Sequence, residues 1–312
     1  MLDSNVVAVV IPCYRVREFI CTVINELPSL IDHIVVVDDA CPDSSFEKVT
    51  PSDRIHVLRR VTNGGVGCAL KTGMRHAFEI LNVDYVIKID GDGQMDPGYI
   101  KSFLQELSKE EGRVFVKGNR FLNLRELRNM PFIRLFGNSV LTFITKASSG
   151  YWHLSDPNNG YLGFSSAIYR LLEVDHLHDR YFFETSVILQ LSLHEVPIVE
   201  VAMPARYGSE TSSLSILGVI PAFLVGNFKG FLRRFFILYI LRDFNIGSVS
   251  TLLGFPAFFA GLSLSLKLWF QASSSAAPLG TTMIALVLLI FGFQLIFIAL
   301  LVDIMRSQGL KR

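Results

Sequence analysis

Two apolar runs near the C-terminus, Ser248 to Phe270 and Thr281 to Val302, constrain this chain more than any other feature. Each is long enough to cross a hydrocarbon core as a helix, because about 20 residues at a helical rise reach about 30 Å. The first contains Pro256 and closes with Lys267 and Trp269, side chains suited to a membrane–water boundary. The second has Gln294 as its strongly polar member. Gln271 to Gly280 forms a short uncharged turn between them, so a transmembrane hairpin is expected. Two buried core helices are the plain alternative, and the length of the runs and their lack of acids argue against it. Lys229, Arg233, Arg234 and Arg242 precede the pair, Arg306, Lys311 and Arg312 follow it, and the turn carries no charge. The positive-inside rule then puts both termini in the cytoplasm, with a bacterial inner membrane as the expected setting.

The 312 residues are 50% hydrophobic with a mean hydropathy of +0.41, too apolar for an ordinary soluble enzyme, and the excess sits in the last third. A net charge of +1 points to no nucleic-acid partner. Cys13, Cys21, Cys41 and Cys68 show neither metal-ligand spacing nor a secretory pairing pattern, and reduced core thiols are expected. Val6 to Pro12 is too short and lacks the basic flank of a signal peptide; it reads as a first strand. Ile216 to Leu241 is apolar but broken by Asn227, Lys229, Arg233 and Arg234, which share one side at helical spacing. That pattern favours helices lying in the membrane interface, facing anionic headgroups or an anionic lipid substrate, over a third crossing. A solvated cationic face is the alternative.

Ahead of these segments, strand-like runs alternate with helical patterns: Val6–Pro12, a helix through Phe19–Leu27, His33–Ala40, Arg54–Arg60, a helix starting after Gly67 and running through Lys71 to Leu81, and a strand running into Asp90 and Asp92. This alternation predicts an α/β fold with a mostly parallel central sheet covered on both faces. Ligands in such sheets bind beyond the carboxyl ends of the strands. The loops there begin at Cys13–Tyr14, Asp38–Asp39, Asn63–Gly67 and Asp90–Gln94.

In Val86–Pro97, VIKIDGDGQMDP, β-branched residues deliver Asp90 and Asp92 one residue apart. On a strand, these carboxylates would share a face and repel unless a cation or donor-rich ligand lay between them. Hard oxygen ligands suit Mg²⁺ or Mn²⁺ held with substrate phosphates. An Asp/Gly turn is the alternative. The run GGVGCAL is not a dinucleotide fingerprint, since it lacks the third glycine and follows the third strand.

In order, VVIPCY, VVVDDACPD, NGGVGCALKTG and IDGDGQMDP resemble the family-2 glycosyltransferases of GT-A fold. With the C-terminal pair, the whole chain resembles the polyprenyl-phosphate glycosyltransferases, the group of dolichol-phosphate mannose synthase and bactoprenol glucosyltransferases. The resemblance implies a catalytic domain over 1–213, interfacial amphipathic helices over 214–245 and a hairpin with a short tail over 246–312. It implies a nucleotide pocket lined by Pro12, Tyr14 and Asp39, with Asp38 holding the loop. Gly91 would lie near the ribose. Asp92 and Gln94 would bind the metal, and Asp90 would contact ribose or metal-bound water. Arg120, in KGNRF, would contact diphosphate or acceptor phosphate. Asp156, in LSDPNNGYLGFS, would lie near the acceptor phosphate or the transferring sugar, and Glu184 near sugar hydroxyls. Arg206, in ARYGSETSS, would meet the diphosphate leaving group. The family often has Lys where Glu210 stands, which puts the local phosphate contacts in question. Lys71 reads as cover for its own helix, with reach to the nucleotide as the alternative.

The implied reaction is inverting transfer from a UDP- or GDP-linked sugar to a polyprenyl phosphate, with Mg²⁺ or Mn²⁺ as cofactor. A phosphate acceptor is anionic already, so Asp156 need not act as a base. A different membrane-lipid acceptor and a non-catalytic scaffold binding nucleotide sugar are the alternatives. A processive polysaccharide synthase would carry a Gln-x-x-Arg-Trp segment, which is absent here; FLRRFF is the nearest run. The hairpin leaves apolar surface that could pack against a second copy.

Overall fold

A computed structural model describes residues 5–109, 112–121, 132–204, 216–271 and 278–309. They form two compact units, one up to Gly230 and one from Phe231 to Gly309.

The first unit is built on a seven-stranded sheet: β1 (Val7–Cys13), β2 (His33–Asp38), β3 (Ile55–Arg59), β4 (Tyr85–Lys88), β5 (Phe115–Asn119), β6 (Leu162–Ser165) and β7 (Ile198–Ala202), in the order β3-β2-β1-β4-β6-β5-β7. Every pairing is parallel except those of β6, which runs against both β4 and β5. The mostly parallel sheet agrees with expectation. The single reversed strand does not follow from the sequence pattern.

Alternation along β1 explains why both faces are covered. Val7, Val9, Ile11 and Cys13 point into one core with Ile20 and Val23 of α1 (Ile20–Asn25) and Phe103 and Leu107 of α3 (Ile100–Lys109). Ala8 and Val10 point into the other, with Leu70 and Met74 of α2 (Val66–Arg75). A strand buried on both sides must be apolar throughout, as β1 is. After β1 the chain first builds β2 and β3 on one side, then returns to place β4 on the other. The order therefore reverses between β1 and β4, the place where ligands bind in open α/β sheets. Among the described residues, this unit also holds the α-helices α4 (Phe132–Ser149), α5 (Ser166–Leu171), α6 (Phe183–Leu193) and the greater part of α7 (Ile216–Arg234).

Several boundaries move. The second predicted helix begins at Val66 rather than after Gly67 and ends in a π-turn over His76–Ile80. β4 stops at Lys88, so Asp90 and Asp92 lie in the turn beyond it rather than on the strand. Of the four free cysteines, Cys13 and Cys41 are core thiols, while Cys21 is exposed.

In the second unit, a π-helical stretch (Phe235–Arg242) leads into α8 (Ile246–Gln271) and α9 (Leu279–Gln308), both long and apolar enough to cross a membrane. Small residues let their backbones approach: a Cβ on Gly292 would come 2.4 Å from the Phe258 nitrogen, and one on Gly261 would come 2.6 Å from the Leu289 nitrogen. At the base, Arg234 donates two hydrogen bonds to Asp303, at 2.7 and 3.1 Å, and the Tyr239 hydroxyl donates a third at 2.7 Å. Arg234 is thus committed to a buried ion pair and is not part of a cationic face. Asn227 is buried as well, accepting from Ser148 at 2.5 Å, which leaves Lys229 and Arg233 exposed.

Gly73 sits where α2 crosses β1; an added Cβ would come 2.4 Å from Val10 Cγ1. Gly73→Val is expected to lose about 2 kcal/mol through overpacking, despite valine's better helix propensity. A fall in the thermal unfolding midpoint, with the urea slope unchanged, would check this.

Candidate active site

The carboxyl ends of β1, β2 and β4 converge with three loops. Asp39, directly after β2, is 3% exposed, and its carboxylate accepts from Arg60 Nη1 at 2.8 Å and from the amides of Gly64 at 3.0 Å and Gly65 at 2.7 Å. Gly65 has φ +94°, a left-handed conformation that favours glycine, so the loop can aim two amides at one carboxylate. These bonds occupy three of the four lone-pair positions of Asp39, leaving one on Oδ2. Asp38 is equally buried and accepts from the Cys41 amide at 3.0 Å. Both aspartates therefore hold loops, whereas only Asp38 was expected to. Pro12 lies within β1, paired with Val37, and Tyr14 just beyond it is 42% exposed. Asp38, Ala40, Cys41, Arg59, Arg60 and Val61 line a recess of about 360 Å³ beside them.

The glycine loop is braced from behind. The Cys68 amide donates to the Asp179 carbonyl at 3.0 Å, and a Cβ on Gly67 would come 2.3 Å from the His178 carbonyl oxygen. Lys71, expected to cover its helix, instead reaches the Leu177 carbonyl at 3.0 Å and the Asp179 carboxylate at 2.5 Å. Residues 177–180 lead straight into α6, so the loop at Asp39 is tied to the helix that carries Glu184.

Beyond β4, Asp90 turns back onto its own strand. Lys88, 1% exposed, places Nζ 2.6 Å from Asp90 Oδ1. Burial favours the neutral amine, yet Asp90 and Glu184 outweigh it and hold the Lys88 ammonium above the usual lysine range. Burial also pushes the Glu184 carboxyl up, against the opposing pull of Lys88. Gly91 is buried, and Asp92 and Gln94 lie half-buried in the turn, where the Gln94 amide donates to Asp92 Oδ1 at 2.9 Å. Among the described residues no group of three or more His, Cys, Asp or Glu is arranged to hold a metal ion. The donors at hand still fit Mg²⁺ or Mn²⁺, which bind through one or two carboxylates plus substrate phosphates. Asp90 Oδ1 is engaged by Lys88, and Asp92 and Gln94 bring further side-chain oxygens to the same turn.

On the far side of β4, Arg120 Nε and Nη2 grip both oxygens of Asp156 at 2.8 and 3.1 Å, and the Arg120 amide and Asn159 Nδ2 add bonds at 3.1 and 3.2 Å. Burial raises the Asp156 proton affinity, but the Arg120 hydrogen bonds and charge, with Lys117, more than reverse this and hold the carboxyl below the usual range. An ionised carboxylate with both oxygens taken is a poor base and a good anchor for a guanidinium. Glu200 on β7 supports the same loop, accepting from the amides of Ser155 and Asp156 at 3.0 Å and from Asn119 Nδ2 at 2.7 Å. Lys117, fully buried on β5, donates to the carbonyls of Asp156 and Asn159.

The structure thus brings Asp90, Gly91, Asp92 and Gln94 together, joins Arg120 to Asp156, and places Pro12, Tyr14 and Asp39 on the rim at β1 and β2. Arg206 and Glu210 lie outside the described residues. Sequence reading assigns no role to Lys88, Lys117, Asp179 or Glu200. The usable signal is a lysine inside each of two otherwise apolar strands, VIKI and VFVK.

A family model for glycosyl transferase family 2 matches residues 8–172. The chain is 27% identical over 219 residues to the UDP-N-acetylglucosamine–dolichyl-phosphate N-acetylglucosaminyltransferase of Methanococcus voltae, covering 63% of this chain and 86% of that protein. It is 23% identical over 205 residues to the polyprenol monophosphomannose synthase of Mycolicibacterium smegmatis, covering 62% and 74%. In fold it is similar to glucosyl-3-phosphoglycerate synthase from Mycobacterium tuberculosis in complex with Mn²⁺, UDP and glucosyl-3-phosphoglycerate, with a TM-score of 0.54 at 16% identity over 74% of this chain and 80% of that one.

Burial, the largest influence on Lys117, lowers its pKa from 10.5 to about 8 against the pull of Asp156 and Glu200. Between those values the unfolded chain holds a proton that the folded chain has released, so stability rises with pH across that window. Lys117→Met is expected to remove this rise. Urea midpoints of the two proteins, compared from below pH 8 to above pH 10, test it.

Proposed function

We propose that this chain, which belongs to glycosyl transferase family 2, transfers a sugar from a UDP- or GDP-linked donor to a polyprenyl phosphate at the cytoplasmic face of a membrane. The observation that carries the proposal is one of combination. A strand-end site at the β1/β4 reversal shares a chain with two helices long and apolar enough to cross a membrane. Such a chain suits a donor in water and an acceptor in lipid. The relatives' names supply the acceptor class, since they act on dolichyl phosphate or a polyprenol. Residues 1–213 would be catalytic, 214–245 interfacial, and 246–312 the hairpin with both termini cytoplasmic.

The nucleotide would lie against Tyr14 and Asp39, with Gly91 and Asp90 near its ribose. Asp92 and Gln94 would hold Mg²⁺ or Mn²⁺, whose chemistry is to neutralise charge on the departing diphosphate. Arg120 would present positive charge to phosphate, and Asp156 keeps that guanidinium in one orientation. Arg206 would do the same for the leaving group. The attacking phosphate oxygen is already anionic, which agrees with an Asp156 committed to Arg120 rather than poised to take a proton. Glu184, close in charge to Lys88 and Asp90, would face the sugar hydroxyls.

Purified protein in detergent, given undecaprenyl or dolichyl phosphate and labelled nucleotide sugars with Mg²⁺ or Mn²⁺, should move label from one donor into the organic phase. Chelator should stop it, and Asp92→Ala should lower the rate by ~10²-fold or more. Nucleotide binding without transfer from any donor would favour the scaffold reading.

A further inference from the structure

One carboxylate that the proposed reaction leaves unused ties together the two segments that flank Arg120. Glu200 lies on β7, opposite Lys117 of β5 in the sheet register, and is half-buried. Among the described residues its hydrogen-bond partners are all N–H donors. Oε1 accepts from the amides of Ser155 and Asp156, both at 3.0 Å. Oε2 accepts from the Ser155 amide at 3.0 Å and from Asn119 Nδ2 at 2.7 Å. One of these segments faces the Arg120 side chain: the Asp156 carboxylate takes its Nε at 2.8 Å and its Nη2 at 3.1 Å. The other sets its backbone. Asn119 immediately precedes Arg120, and its side-chain oxygen accepts the amide of Phe121, the residue that follows, at 2.8 Å. The Phe121 ring in turn lies 5.8 Å from the guanidinium carbon. Arg120 is therefore held between two jaws, and Glu200 joins them.

The join calls for an acceptor. The oxygen of Asn119 is committed to Phe121, so its NH₂ must face Glu200, and Asn119 itself is fully buried. A carboxylate satisfies that NH₂ and the two loop amides together. A glutamine would turn hydrogens of its own toward at least one of these donors and leave it unpaired, which is costly where water is excluded. From this geometry we propose that Glu200 is a positioning residue for the acceptor phosphate: through Asn119 and Asp156 it fixes the direction in which Arg120 presents its charge. A long arginine side chain otherwise samples many rotamers, and ordering it on binding would weaken the phosphate contact. The identity of the anion rests on the proposed function; the clamp on Arg120 does not.

Glu200→Gln protein in detergent gives the test. The KM for undecaprenyl phosphate should rise roughly tenfold, the worth of one hydrogen bond to a charged group, while the Kd for UDP or GDP by calorimetry stays within about twofold. Adding Asn119→Asp reverses donor and acceptor across the same contact at constant net charge and should restore the KM. In an Arg120→Ala background, where the acceptor contact is already lost, Glu200→Gln should add nothing. Asn119→Ala cuts one jaw with Glu200 in place; it should show the same split between KM and Kd, and it serves where Glu200→Gln does not fold.

Arginine labelling reads the clamp without turnover. Phenylglyoxal reaches the guanidinium when it leaves Asp156, so modification of Arg120, followed by mass spectrometry against exposed Arg15, should run roughly tenfold faster in Glu200→Gln and slow again with Asn119→Asp. An unchanged KM together with an unchanged labelling rate overturns the proposal. A penalty that persists in full in the Arg120→Ala background, or a nucleotide Kd that weakens as much as the acceptor KM, makes Glu200 a general brace and overturns it too. Wild-type protein that moves no sugar to any polyprenyl phosphate sinks the proposed function instead. The labelling then decides the clamp alone, upheld by faster modification in Glu200→Gln and overturned by none.

Discussion

Two ammonium groups buried inside a sheet set the terms for everything around them. Desolvating a cation costs several kcal/mol, and the cost is tolerable only where oxygens replace the lost water. Lys88 on β4 meets Asp90 two residues later. Lys117 on β5 meets the carbonyls of Asp156 and Asn159 from the loop before β6. A single short segment lies against both lysines, since a Cβ on Gly160 would come 2.6 Å from Lys88 Nζ. The ends of β4 and β5 and the loop entering β6 are consequently bound as one piece. The half-buried turn that carries Asp92 and the half-buried Arg120, held by buried Asp156, lie at the edge of that piece. Glu200, reaching in from β7, locks the same loop from its other side.

A second tie runs from the carboxyl end of β2. Asp39 gathers the amides of Gly64 and Gly65, the following turn of α2 is held by the Asp179 carbonyl, and Lys71 clamps the 177–180 loop. That loop delivers α6 and Glu184. The Asp39 loop and the segment that leads to Glu184 are therefore joined by a continuous set of hydrogen bonds. Donors aimed in advance need no reorganisation when charge develops, which is where such stiffness matters.

Much of this architecture is legible in the sequence because it depends on short-range patterns. The β-branched runs of β1, β2 and β4, and the polar loops after them, announce the parallel half of the sheet and its binding edge. The two C-terminal runs announce α8 and α9 by length and composition alone. What escapes is set by pairing across long sequence separations. Nothing local in LGFS says that β6 runs antiparallel between β4 and β5. Nothing near Lys117 names partners some 40 residues on, or places Glu200 beside Ser155. Asn227 and Arg234 mislead for the same reason. Polar residues at helical spacing look like a wet face, but their partners, Ser148 and Asp303, are 79 and 69 residues away. Asp92 is misplaced by one step of geometry, since alternation stops with the strand at Lys88.

The charges of the site bear on where a diphosphate could find stabilisation. Lys88 is held by Asp90 and Glu184, Arg120 by Asp156, Arg60 by Asp39, and Lys71 by Asp179. Each cation named at the strand ends already faces at least one carboxylate. An incoming diphosphate would thus meet fixed dipoles and oriented guanidinium edges, but little uncompensated positive charge from these residues. The proposed reaction therefore depends on charge supplied where the carboxylates outnumber the cations, at the Asp92 and Gln94 turn, or from Arg206. The same balance explains why an anionic acceptor suits the site. With Asp156 turned wholly toward Arg120, the residues at hand orient a phosphate better than they deprotonate a hydroxyl.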